Sequence, residues 1–147
     1  MYEVPKNAGN HRNVSDVLNI LKAMAHTESY LLLKTIALDN DQGDLNKLQI
    51  TKKQYHTGIS HLLRSGLIKR KDDRYSVTAF GKIMYCIQLM IEDASENRSK
   101  LDVIDSVENQ NVLPQQELVN FIDALLHKKQ MKEFLLRGCE PNLSSSN

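Results

Sequence analysis

The chain has 147 residues, of which 41% are hydrophobic and 25% charged, and its net charge is +1. Its length suits about one domain, and its composition excludes a collagen-like, a wholly disordered or a disulfide-scaffolded protein. The apolar runs are shorter than the roughly 18 residues that a membrane-spanning helix needs, and residues 1–13 lack the pattern of a secretion signal. We therefore expect a cytoplasmic protein with no membrane partner.

The chain carries few of the residue patterns that enzymes and metal proteins need. Its two cysteines, Cys86 and Cys139, form no CxxC pair, which suits a reducing compartment and argues against a zinc site. Nucleotide-binding glycine loops and the HExxH metalloprotease motif are absent. We expect no enzyme activity, no catalytic residues, no bound metal and no cofactor. Cys86 lies among apolar residues and is interpreted as a buried, inert thiol.

The N-terminal third predicts two helices behind a flexible start at residues 1–13. The second helix runs from Glu28 to about Leu38, followed by a polar loop at 39–44 and a short helical segment at 45–49. The first helix begins near Asn13 or Ser15 and ends near Ala25. Its apolar residues have the spacing of one buried stripe: Val14, Val17, Leu18, Leu21 and Met24.

The middle of the chain predicts a capped helix from Thr51 to about Ser65. Thr51 is a favoured N-cap residue, and Gly66 suits the position after a helix end. The face opposite the apolar residues of this helix has no acidic side chain. Gly58, inside the helix, costs roughly 1 kcal/mol relative to alanine. It allows the close approach of a phosphate or of a neighbouring helix, or it is a tolerated defect.

Two short strands at 67–71 and 74–77 predict a β-hairpin. Asp72 and Asp73 form the two-residue turn between them. Thr78 is a suitable cap for the next helix, which we expect over 79–94. The apolar positions of that helix predict an inward-facing stripe, namely Phe80, Ile83, Met84, Ile87, Met90, Ile91 and Ala94.

The C-terminal third predicts a linker at 95–113 with room for a short helix, a long helix at 114–138 and a flexible tail at 139–147. Pro114 suits the first turn of the long helix. The preceding helices already close a core, so the apolar face of this last helix needs another partner, and we expect a second copy. The competing interpretation is a monomer whose last helix folds back on its own domain. The predicted dimer contacts are Leu118, Phe121, Ile122, Leu125 and Leu126.

The near-neutral net charge conceals a strongly basic block. Residues 47–82 contain nine basic and two acidic side chains, a net charge of +7, whereas the segments on either side are acidic. Such an asymmetry is typical of a surface that binds a polyanion. The alternative is a solvated basic face that binds nothing.

The basic block resembles part of a known family. The segments TKKQY at 51–55 and GLIKRK at 66–71 resemble the recognition helix and first wing strand of winged helix-turn-helix regulators, and RYSVTAFGK at 74–82 is similar to their wing exit. LKAMAH at 21–26 resembles the first helix of the ArsR-type subgroup. The resemblance, to archaeal transcriptional regulators of the ArsR-like winged-helix superfamily, covers about residues 14–94. It implies a mainly helical fold with a small β-hairpin, and a winged-helix DNA-binding domain.

The side chains of the basic block suggest two kinds of DNA contact. Lys52 and Lys53 lie in the first helical turn beside Thr51, where free N–H groups also favour a phosphate. Arg64 suits a phosphate or a guanine, and in the hairpin Lys69, Lys71 and Arg74 suit the phosphate backbone. Carboxylates at the hairpin tip oppose that contact. The side chains suited to base edges are Gln54, His56, Thr57, Ser60 and His61.

The sequence therefore favours a DNA-binding transcription regulator that acts as a homodimer on double-stranded DNA. In this hypothesis the helix at 51–65 enters the major groove and the hairpin at 67–77 contacts the backbone. The alternative is a winged-helix module that binds another protein, because a fold does not by itself specify a function.

Overall fold

The structure is a computed structural model that describes the backbone of residues 7–38 and 45–138. Most of it is helical, with one small antiparallel hairpin, which confirms the predicted fold class at that level. The predicted loop at 39–44, the predicted tail at 139–147 with Cys139, and the first six residues lie outside the described residues. Within the described part of the chain, every helix is too short or too polar to cross a membrane.

The predicted elements are recovered with shifted bounds, and one helix is added. The first helix begins six residues earlier than the earlier of its two predicted starts, so the predicted flexible start at 1–13 is wrong from residue 7 onward. In chain order the elements are α1 (Asn7–Ala25), α2 (Thr27–Ala37), α3 (Leu45–Leu48), α4 (Lys52–Arg64), β1 (Ile68–Lys71), β2 (Arg74–Val77), α5 (Ala79–Glu96), α6 (Arg98–Gln110), α7 (Gln115–Leu125) and α8 (Lys129–Arg137).

The chain forms two compact units, residues 1–87 and 88–147, with the boundary inside α5. The core of the first unit is apolar and is built from α1, α2, α4, β1 and α5. Burying these side chains supplies the main favourable contribution to folding of this unit. Its buried members are Met24, Leu32, Leu33, Ile36, Ile59, Leu62, Leu67, Ile68 and Met84.

Gly58 is the point where α4 approaches α2. A β-carbon at position 58 would lie 2.6 Å from Cδ1 of Leu32 and 3.2 Å from Cγ of Glu28. Glycine lowers the intrinsic stability of the helix, but a side chain at this position would push the two helices apart. Of the alternatives left open by the sequence, the neighbouring helix is the one that the structure supports.

The hairpin has the predicted strands and turn. Its register pairs Ile68 with Val77 and Lys71 with Arg74. Asp72 and Asp73 have φ values of 49° and 62°, the left-handed backbone that two-residue hairpin turns require. Aspartate tolerates this region better than most residues, so the turn forms without glycine.

Thr78 fastens the hairpin to both neighbouring helices. Its hydroxyl donates to the backbone carbonyls of Gly66 at 2.6 Å and Leu67 at 3.1 Å, and accepts from the N–H of Gly81 at 2.9 Å. The bond from Gly81 satisfies a free N–H in the first turn of α5, as predicted for a cap. The exit of α4, both strands and the start of α5 are therefore tied together at one residue.

The second unit corrects the predicted C-terminal third. The expected linker at 95–113 contains a full helix, α6, and the expected long helix at 114–138 is two helices, α7 and α8, separated at Leu126, where the backbone is extended. The break directs α8 so that Met131 is buried with Ile104, Ile122 and Leu126 in a core of this unit. A contact of 3.0 Å between Lys132 Nζ and Asp123 Oδ1 spans the break.

Two predicted apolar stripes are wrong in orientation. On α1 only Met24 is buried, and about half of the surface of each remaining stripe residue is exposed: Val14, Val17, Leu18 and Leu21. On α5 Met84 is buried as expected, but Ile83 and Ile91 are about 60% exposed, and Cys86 is exposed rather than buried. These helices therefore keep apolar faces outside the cores of the described residues.

Candidate nucleic-acid interface

The N-terminus of α4 is fixed by a reciprocal cap. The N–H of Gln54 donates to Oγ1 of Thr51 at 3.1 Å, and the N–H of Thr51 donates to Oε1 of Gln54 at 2.8 Å. These two bonds form a capping box and set where the helix begins. They also engage the amide oxygen of Gln54, so this predicted base-reading residue has its amide nitrogen and one remaining oxygen lone pair for another partner.

The outward surface of α4 is basic and exposed. Lys52 and Lys53 lie in its first turn and Arg64 at its last residue, and all three are exposed. None of the three forms an ion pair with a described residue. Lysines at a helix N-terminus oppose the helix dipole, so their position favours an external anion as partner.

Small and planar polar side chains lie between these cations. His56 and Thr57 are exposed, whereas Ser60 is half-buried. Thr57 and Arg64 lie four and eleven residues after Lys53, a spacing that places all three on one side of the helix. With 13 residues, α4 is about 20 Å long, a size that fits the major groove of B-DNA.

His61 differs from the other predicted contacts because it is partly withdrawn from solvent. Its ring lies 4.7 Å from the ring of His26, centroid to centroid, and its Nδ1 atom is buried without a hydrogen-bond partner among the described residues. His26 lies in the junction between α1 and α2, and nothing in the sequence around it indicated this contact. Because of this contact, His61 has less ring surface available to a ligand than His56 has.

The hairpin collects three cations on one face. Lys69 pairs with Ser76 and Lys71 with Arg74, so Lys69, Lys71 and Arg74 share a face, because side chains alternate along a strand. On the other face, Nη2 of Arg70 lies 3.2 Å from Oδ1 of Asp73 at the tip. One of the two acidic tip residues is thereby partnered within the hairpin, which reduces the repulsion of an approaching phosphate.

The hairpin and α4 each place a tyrosine against the core of the first unit. Tyr55 on α4 and Tyr75 on β2 both pack against the core of the first unit. Burial raises the pKa of the Tyr55 phenol above its ordinary value of 10.0, and the nearby Tyr75 phenol raises it further. The two basic elements are therefore both anchored on the core of the first unit.

The predicted dimer contacts lie in the second unit, where they have partners within the chain. Ile122 and Leu126 are 1% and 0% exposed, and Leu118, Phe121 and Leu125 pack against the same core. The expectation that this face lacks a partner in the monomer is therefore wrong. Exposed apolar stripes of the described residues lie instead on α1 and on α5.

The described residues contain no group of three or more His, Cys, Asp or Glu side chains that could hold a metal ion. Comparison of the chain with family models, with curated proteins and with solved structures finds no match.

Proposed function

We propose that this protein is a winged helix-turn-helix transcription regulator that binds double-stranded DNA sequence-specifically as a homodimer. In this proposal α4 is the recognition helix in the major groove, and the β1–β2 hairpin is the wing on the phosphate backbone. The proposal retains the function favoured by the sequence and moves the dimer contact to another helix.

One observation carries the proposal: two adjacent elements expose unpaired cations within a single basic block. Lys52, Lys53 and Arg64 on α4, and Lys69, Lys71 and Arg74 on the hairpin, form no ion pair with a described residue. Folded proteins usually intersperse surface charges of both signs, so a block of net charge +7 favours a polyanionic partner.

The positions of the side chains suggest which of them contact phosphates and which contact base edges. Lysines in the first turn of α4 and cations on the hairpin suit phosphates on either side of a groove, which positions the protein without reading sequence. Thr57, His56 and Ser60, between them, suit base edges. His61 and Gln54 are secondary candidates, because each has part of its polar surface engaged inside the chain.

The exposed stripe of α1 supports the homodimer. Val14, Val17, Leu18 and Leu21 recur at helical spacing on one side of this helix, and each is about half exposed. A contiguous exposed apolar stripe is typical of a protein–protein interface. A two-fold dimer calls for a pseudo-palindromic site with half-sites about 10 base pairs apart, or a multiple of that spacing.

The same exposed stripe also favours the alternative function, a module that binds another protein. Fluorescence anisotropy with labelled duplex DNA at increasing salt separates the two. DNA binding through about six phosphates should weaken steeply, with a slope near −5 in log affinity against log salt. Absence of duplex binding at low salt would reject the proposal and favour the protein-binding module.

A further inference from the structure

A second feature of the first unit is a cleft of about 660 Å³ between the end of α2, the hairpin and α5. It lies beside the hairpin rather than on the outward surface of α4. Its volume falls within the roughly 300–1,000 Å³ range of small-molecule sites. A cleft of this size therefore accommodates a ligand of moderate size as well as water.

The described residues that line the cleft carry only positive charges. Lys69, Lys71 and Lys82 line it, and the described lining residues include no aspartate or glutamate. None of these three lysines forms an ion pair with a described residue. Three uncompensated ammonium groups around one concave surface raise the local positive potential and attract a multivalent anion.

The walls of the cleft add apolar and hydroxyl groups. Ile36 and Val77 line it together with Tyr75 and Tyr85. Ser76, which also lines the cleft, has a buried Oγ atom without a hydrogen-bond partner among the described residues. A ligand with both a planar apolar part and an anionic part therefore fits this lining better than a simple inorganic anion does.

We propose that this cleft binds a nucleoside phosphate, with the phosphates held by the three lysines and the base against the tyrosine and aliphatic wall. This site goes beyond DNA binding, although Lys69 and Lys71 belong to both surfaces. A bound nucleotide would neutralise cations that the wing presents to DNA. The site is therefore suited to regulate DNA affinity, and that regulatory part depends on the proposed function.

The test uses the full-length protein and ATP in metal-free buffer, measured by isothermal titration calorimetry without DNA. We expect saturable binding, and weaker binding of inorganic pyrophosphate because it lacks the base. Lys82→Gln should lower the affinity for ATP roughly tenfold, since it removes one charge-assisted hydrogen bond, and Lys82→Arg should restore most of it. Lys129→Gln, an exposed lysine of the second unit, is the matched control and should bind as the unmodified protein does.

Three outcomes would overturn the proposal: no saturable binding at millimolar ATP, equal affinity for ATP and pyrophosphate, or a Lys82→Gln variant that binds ATP unchanged. Thermal unfolding of each variant verifies that it is folded. Because the titration contains no DNA, failure of the nucleotide site and failure of DNA binding are separate results. Where duplex binding is also present, excess ATP should weaken it in the unmodified protein more than in Lys82→Gln.

Discussion

Gly81 lies so close to the backbone carbonyl of Leu67 that a β-carbon at position 81 would overlap the carbonyl oxygen. That same oxygen accepts hydrogen bonds from the N–H of Thr78 at 3.0 Å and from its hydroxyl at 3.1 Å. The absence of a side chain at Gly81 therefore lets the first turn of α5 approach the strand entry. This close approach sets the position of the hairpin relative to α5.

Gly81→Ala should destabilise the first unit by about 3 kcal/mol, because the added methyl group meets a backbone atom that a side-chain rotation cannot move aside. Urea unfolding monitored by circular dichroism measures the change. Gly66→Ala is the control: its φ is +74° but no atom lies within 4 Å of the added carbon. Backbone strain alone should cost that variant about 1 kcal/mol. Equal destabilisation of both variants would contradict the close-approach argument.

Lys52→Ala or Lys53→Ala should weaken binding to all duplex sequences to a similar extent. Each variant removes one exposed cation next to the capped start of α4. The slope of log affinity against log salt should fall by roughly one unit for each phosphate that the variant no longer neutralises. Anisotropy titrations on random DNA at several salt concentrations measure it. A variant that binds as tightly as the unmodified protein at physiological salt would show that its lysine contacts no phosphate.

Thr57→Ala and Ser60→Ala should reduce sequence specificity and leave non-specific binding almost unchanged. Removal of a hydrogen bond to a base edge should cost roughly 1–3 kcal/mol on the preferred site and little on random DNA. Competition titrations with the two kinds of DNA measure the ratio. His61→Ala serves as a comparison, because this ring already contacts His26. Parallel weakening on both kinds of DNA would place Thr57 and Ser60 outside the base-reading set.

Val17→Glu should convert the homodimer to a monomer, because it places a charge in the middle of the exposed stripe of α1. Sedimentation velocity of the full-length protein gives the oligomeric state. Val112→Glu is the matched control, since Val112 is also exposed, at 66%, but lies outside that stripe. A monomeric unmodified protein, or a dimer that tolerates Val17→Glu, would exclude α1 as the dimer interface.

A second comparison separates the α1 interface from the C-terminal helices. Leu126 is fully buried in the core of the second unit, so Leu126→Ala should lower its stability by about 2–5 kcal/mol. Its sedimentation should remain that of the unmodified protein under folding conditions. Dissociation by Leu126→Ala in a protein that remains folded would return the dimer interface to the C-terminal helices.

Alkaline conditions should destabilise the first unit partly through Tyr55. Its pKa is raised in the folded state, first by burial and then by the Tyr75 phenol, so the folded protein retains a proton that the unfolded chain releases above pH 10. Stability due to this group is therefore complete below pH 10 and is lost as the pH rises toward the folded-state pKa. Tyr55→Phe should reduce the fall in unfolding free energy between about pH 9.5 and about pH 11. An identical pH dependence in both proteins would exclude Tyr55 as a contributor.

The sequence alone predicted features that depend on residues close together in the chain. The N-cap at Thr51 was predicted, and its bond from Gln54, three residues on, requires only a helix start and two suitable side chains; the reciprocal bond of the Gln54 side chain was not predicted. Asp72 and Asp73 similarly form the turn between strands that adjoin them. The bounds of α4 and of the hairpin, and the clustering of cations along them, followed from such local rules.

Tertiary packing decided which apolar faces are inside. Periodicity identified the stripe on α1, but burial of that stripe requires a partner from elsewhere in the chain, and among the described residues its members stay about half exposed. The face of α7 showed the reverse: Ile122 is buried by α6 and α8, helices that the sequence pattern did not separate correctly. The contacts of Gly58 with Leu32 and of His61 with His26 likewise join residues 26 and 35 positions apart. A sequence pattern gives each helix its apolar side, but only the packing of distant segments determines which sides meet.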